Sequence, residues 1–345
     1  MSDRSSQFFS AAPAEDLTYR NLQRVTNPQT VAAREHCESL WTRFAPYADG
    51  HFLAELPRRF HARYWEMYLV VAVMDLGHEI TAPKPGPDFG IAVDGRRVWF
   101  EAVTATPGAS TNADRVPGFA FGTMQSVPNE QMVLRYASAI SEKVLRQYPK
   151  WLENGVLGPD DCLVVAINPK LLDHEVFDTI TPRILQVAYP VGAPAVAVNP
   201  HTGAVIEHRV QYRAAIQRAS GSQVATGLFL DPQYAPLSAL LCSRVDVGNH
   251  PEYLGEDFQF APNPRATTPV PQAVQLIGTL FRPHPSEDHI DIETVTAEPA
   301  PFDATDGVQS IRDILADPEW MSDPDGKAVR EAHRAIDELR GRTSK

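Results

Sequence analysis

The chain has 345 residues, 43% of them hydrophobic, enough to bury a sizeable core in one large domain with a tail or in two domains. Its net charge of −12 excludes strong binding to phosphate backbones on charge alone, although residues 1–150 are balanced and the acidic excess falls on residues 151–345. Three scattered cysteines, Cys37, Cys162 and Cys242, exclude a disulfide framework or a zinc cluster and fit a reducing cytoplasm.

Residues 1–29 are polar apart from Phe8 and Phe9 and read as a loosely held arm. They lack a basic stretch followed by an apolar one, and no apolar run approaches ~18 residues, so a soluble, unexported chain with no membrane partner is expected. A first helix is expected over Thr30 to Phe44, with Val31, Leu40 and Trp41 as buried positions. Phe60 to Leu76 is the strongest helical signal: long, free of Gly and Pro, broad in its apolar face, and stopped by Gly77.

Short strands follow over His78 to Ala82, Asp88 to Val93 and Arg96 to Thr104, the last two joined by the hairpin signal Asp94-Gly95. Residues 107–128, rich in Gly, Pro, Ser and Asn, read as a long surface loop, Asn129 to Trp151 as a helix, and Cys162 to Ile167 as an apolar strand. Further strands are expected at Ala195 to Val198, Gly227 to Leu230 and Leu237 to Cys242. From Asn263 to residue 305 the composition turns to proline and acid and predicts a linker. Residues 306–345 return to helix, Val308 to Leu315 and Gly326 to Arg340, with apolar stripes that either cap the domain or dock a partner or second subunit.

Three acids stand out by position. Glu66 lies inside the long helix in RYWEMY, Asp88 opens a strand after Gly-Pro, and Glu101 interrupts the apolar strand VWFEAV. A hairpin brings the start of its first strand beside the end of its second, so Asp88 and Glu101 should be neighbours. Carboxylates among Val, Trp and Phe are costly unless paired or metal-bound. A few carboxylates plus waters is the set that Mg²⁺ prefers.

This order of elements, with a helix glutamate, Pro87-Asp88 and Glu101-Ala102-Val103, resembles the PD-(D/E)xK restriction-endonuclease-like superfamily over about a third of the chain. The resemblance implies a mixed α/β sheet flanked by helices, with a core ordered helix, three strands, helix, strand, over residues 30–262. It implies a nuclease hydrolysing phosphodiester bonds of nucleic acid, DNA foremost, with Mg²⁺ or Mn²⁺ held by Glu66, Asp88 and Glu101. One departure matters: the superfamily's lysine belongs at position 103, on the face of Glu101, where this chain has Val103. Lys143 on the following helix is the candidate replacement, with Arg135 on the same face and Lys84 before the Asp88 turn as substrate-binding cations.

Each residue has a plainer reading. Glu66 is also placed to pair with Arg63 or Arg59, Asp88 to serve as a turn residue, and Lys143 and Arg135 to be solvated beside a Glu142–Arg146 pair. His201 and His208 match no metal spacing and fit a surface hairpin. The competing function is a catalytically silent member of the fold that binds nucleic acid or protein.

Overall fold

The computed structural model describes residues 8–10, 13–83, 85–120, 122–178, 181–274, 276–285 and 290–297. All lie within the unit Met1–Pro299; the second unit, Ala300–Lys345, is outside the described residues, and with it the two expected C-terminal helices.

Three helices form the first layer: α1 (Leu17–Arg24), α2 (Pro28–Phe44) and α3 (Phe52–Asp75). Asn27 starts α2 with a reciprocal cap. Its side chain accepts the Thr30 N–H at 2.9 Å, and the Thr30 hydroxyl accepts the Asn27 N–H at 3.2 Å. In α3, Pro57 is followed by a kink at Arg59 (φ −135°, ψ 41°). Beyond it, every residue from Tyr64 to Val73 is buried, as the broad apolar run predicts. Gly77 (φ +83°) then lets the chain turn away.

Strands β1 (Phe89–Val93) and β2 (Arg96–Thr104) form the predicted hairpin; Asp94 and Gly95 both take positive φ, as a tight two-residue turn requires. After the 105–128 loop comes a continuous helical rod. It runs as α4 (Asn129–Ser141), a π-helical stretch (Glu142–Gln147) and α5 (Tyr148–Glu153), where regular α-helix was expected throughout. Next come β3 (Cys162–Asn168), α6 (Arg183–Ala188), the two-stranded arm β4 (Val191–Val198) and β5 (Val205–Tyr212), and the short pair β6 (Ala215–Gln217) and β7 (Gln223–Ala225). The chain then runs through β8 (Leu237–Cys242), β9 (Gln259–Pro262), β10 (Gly278–Pro285) and β11 (Ile290–Ala297).

Seven strands form one mixed sheet in the order β1-β2-β3-β8-β9-β10-β11. β2, β3 and β8 run parallel; β1 and β9 are antiparallel to β2 and β8. Alternation along the strands divides the core. Val98, Phe100, Val164 and Ala166 pack under α1–α3, while Trp99, Val103, Leu163, Val165 and Ile167 pack against the α4–α6 side. Trp65 ties the first layer to the sheet by donating its indole N–H to the Ala166 carbonyl at 3.0 Å. Among the described residues, no helix is long and apolar enough to cross a membrane.

Several expectations are corrected. His78 to Ala82 is not a strand: only Thr81 bridges, to Gly90, because Pro83, Pro85 and Pro87 crowd the stretch that follows and Pro has no N–H to donate. The core therefore has two strands, not three, between its helices. Gly227 to Leu230 closes as a 3₁₀ turn over Leu228–Leu230. The arm is held where it is described. Phe8 is buried against Trp41, the Tyr19 hydroxyl donates to the Phe8 carbonyl, and the Glu15 and Asp16 N–H groups bond the Pro57 carbonyl. The expected linker after residue 262 contains β10 and β11, which pair with each other and extend the sheet from β9. The prolines of β10, Pro283 and Pro285, fit because β10 pairs with β9 over only Thr279 and Leu280, so their other edge lies outside that ladder.

Candidate functional site

The β1–β2 ladder ends at Phe89↔Phe100, whereas β2 continues to Thr104 and pairs β3 along its other edge through Thr104↔Asn168. Past Phe100 one edge of β2 is thus open. A cavity of about 290 Å³ lies there, bounded by Ala102, Val103 and Thr104 of β2 and by Asp88 and Glu101 at the hairpin's open end. Glu66, Ala62, Arg63 and Arg59 enter from α3, and Ala139, Glu142 and Lys143 from the helical rod. Two helices on opposite faces of the sheet meet at this edge because β1 stops short.

Four predicted residues, Glu66, Asp88, Glu101 and Lys143, line this one cavity. The Asp88 N–H donates to Glu101 Oε2 at 3.2 Å, and Asp88 Oδ2 accepts the Ala102 N–H at 2.7 Å. Lys143 Nζ contacts Glu101 Oε1 at 2.5 Å, so the lysine reaches the carboxylate from the rod instead of from position 103. Glu101 is 5% exposed. Burial, and then the charge of Asp88, push its carboxyl up from 4.5 to about 8, against the pull of Lys143. Burial alone would lower the Lys143 ammonium, but Glu101 and Asp88 outweigh it and raise it.

Glu66 follows its plainer reading. Arg63 Nη1 lies 2.6 Å from Glu66 Oε2, and the same guanidinium reaches Asp49 at 3.3 Å and Glu55 at 2.7 Å. α3 belongs to the layer beneath Phe100, whereas Glu101 points with Trp99 and Val103 to the other face. Accordingly, among the described residues no three His, Cys, Asp or Glu side chains converge to hold a metal ion. Asp88 and Glu101 remain as a two-carboxylate wall.

The other predictions fall elsewhere. Arg135 donates Nε–H to the Thr106 carbonyl at 2.7 Å and does not line the cavity. Lys84 lies outside the described residues. Glu142 and Arg146 form the expected pair at 3.4 Å. His201 sits at the turn of the β4–β5 arm, in which Val196 and His208 are backbone register partners. The Arg63–Glu55–Asp49 network and Thr104 were missed as site features. The four-residue spacing of Glu55, Arg59 and Arg63 was a readable signal for the first; Asp49, across the start of α3, left none.

The arrangement combines an acidic pair, a half-buried cation in contact with it, and cations on the opposite wall, which suits a bound cation and a phosphoryl anion together. Searches with this chain match no protein-family model, no curated protein and no solved structure.

Proposed function

We propose that the chain is a divalent-metal-dependent phosphodiester hydrolase on a restriction-endonuclease-like core, acting on nucleic acid and on DNA foremost. The observation that carries this reading is the contact of Lys143 with Glu101 in the cavity shared with Asp88. It returns to the acidic pair the cation that Val103 does not supply.

The donor set fits Mg²⁺ or Mn²⁺. Two neighbouring carboxylates in a partly enclosed cavity hold a proton up to about pH 8, the electrostatic sign of a site short of positive charge. Asp88 and Glu101 would hold the ion, with Glu66 joining only if it leaves Arg63. Bound there, such an ion would supply polarisation of a phosphoryl oxygen and a lowered pKa for an attacking water. The chain's own part is then electrostatic. Lys143 stabilises negative charge growing on the phosphoryl oxygens, the Asp88 and Ala102 N–H groups fix the two carboxylates, and the apolar Val103 and Ala139 limit the water around them.

One observation favours a second reading, a silent scaffold that binds nucleic acid or protein: Glu66 is committed to Arg63, and among the described residues no trio of acids converges. Incubation of plasmid, single-stranded DNA and RNA with Mg²⁺ or Mn²⁺ separates the two. Cleavage that chelation stops, and that is lost in Glu101→Ala, supports hydrolysis. Retention of an oligonucleotide without cleavage under any divalent ion supports the scaffold.

A further inference from the structure

This inference rests on the reading of Asp88 and Glu101 as ligands of a divalent cation, and concerns what guards them before it arrives. Both Glu101 oxygens are engaged by the chain itself, Oε1 by Lys143 and Oε2 by the Asp88 N–H. Glu101 is the more buried member, 6% exposed at its side chain against 27% for Lys143. The carboxylate is therefore fixed on a strand, and the cation is the partner with somewhere to go. Its four-carbon stem rises from the π-helical stretch into a cavity of about 290 Å³, several times the ~30 Å³ share of one water.

We propose that Lys143 is a displaceable counterion. In the metal-free protein it holds the Glu101 carboxyl in register; it yields that group to an arriving divalent cation and so becomes available to the substrate phosphate. Residue type matters here. An ammonium makes a compact, single-point contact, whereas a guanidinium would clamp the carboxylate with a two-pronged fork and resist eviction. Metal would then bind before phosphate, because the cation that serves phosphate is released only when metal takes its partner.

The test uses the full-length protein. Wild type is acylated with limiting acetic anhydride, with and without Mg²⁺, and each lysine is quantified by mass spectrometry. Labelling of Lys143 should rise several-fold with Mg²⁺. Exposed Lys150, and Lys170, which pairs with Glu175 and Asp246, should not change. In parallel, calorimetric titration with Mn²⁺ should show Lys143→Arg binding the ion roughly tenfold more weakly than wild type, the effect of a stronger competing charge-assisted pair. The arginine retains the positive charge, so proton competition at Glu101 is not what the comparison reads. If wild type binds Mn²⁺ but Lys143 labelling is unchanged, or Lys143→Arg binds as wild type does, the displacement is overturned while the metal reading stands. If wild type binds no Mn²⁺, the metal reading fails and the displacement with it.

Discussion

Asp88 and Glu101 are joined through the main chain. The Asp88 N–H donates to Glu101 Oε2 at 3.2 Å, while the Asp88 carboxylate reaches past to the Ala102 N–H at 2.7 Å. Each acid thus occupies a position where the β1–β2 ladder would otherwise continue. The end of the ladder and the start of the site are the same structural event, so changes to the hairpin and changes to the carboxylates should be felt together.

If Lys143 supplies the phosphate-facing cation, Lys143→Ala should lower metal-dependent cleavage by about 10²-fold or more, the usual scale for removing one preorganised electrostatic donor. Folding should survive, because the side chain is a quarter exposed and its loss breaks one ion pair. Gel assays of plasmid nicking, set beside thermal melts by circular dichroism, check this. Cleavage near the wild-type rate would remove Lys143 from the chemistry.

A pH dependence follows from Glu101. Its carboxyl rises from 4.5 in the unfolded chain to about 8 in the fold, through burial first and Asp88 second. The folded state therefore keeps a proton that the unfolded chain releases. This contribution to stability is complete below about pH 4.5 and disappears as pH climbs through about 8. Glu101→Gln cannot ionise and should escape the loss, so its stability relative to wild type should rise between about pH 5 and about pH 9. Urea denaturation of both proteins from about pH 5 to about pH 9 reads the difference. Parallel curves would mean that Glu101 is ionised in the fold throughout.

Gly90, two residues after Asp88, is sterically required. A Cβ there would lie 2.5 Å from the Trp99 ring, which is held by its N–H bond to Asp161 at 2.9 Å. Gly90→Ala should cost about 1–3 kcal/mol by overpacking and lower the melting temperature by several degrees. Metal affinity should fall with it, since the displaced strand carries Asp88. A melt indistinguishable from wild type would show that Trp99 can move at little cost.

The β10–β11 hairpin should prove integral to the folded unit. Phe281 is 5% exposed, and Gly278 packs so close to Phe258 that a Cβ would lie 2.3 Å from its carbonyl oxygen. A chain ending at Pro262 leaves β9 as an unprotected edge and should be insoluble or partly unfolded. Limited proteolysis of the full chain should yield a stable product that retains residues up to about 297. Accumulation of a soluble 30–262 fragment would instead restore the linker reading.

Local chemistry sufficed for part of this protein. The apolar run from Met67 to Met74 dictates a helix with little solvent face, Asp94-Gly95 dictates a tight hairpin, and the two-residue period of β2 puts Glu101 on the face of Val103. These hold because each depends on neighbours within a few residues. Lys143 was legible as a candidate by its helical spacing from Ala139, but its contact with Glu101 depends on where β1 stops and how the helical rod packs. The Glu66–Arg63 pair was legible from its three-residue spacing, but that α3 covers the sheet face opposite Glu101 is a fact of layer packing that no local pattern encodes. The strands after residue 262 were hidden by proline and acid, which suit a sheet edge as well as a linker; only pairing with β9 distinguishes the two.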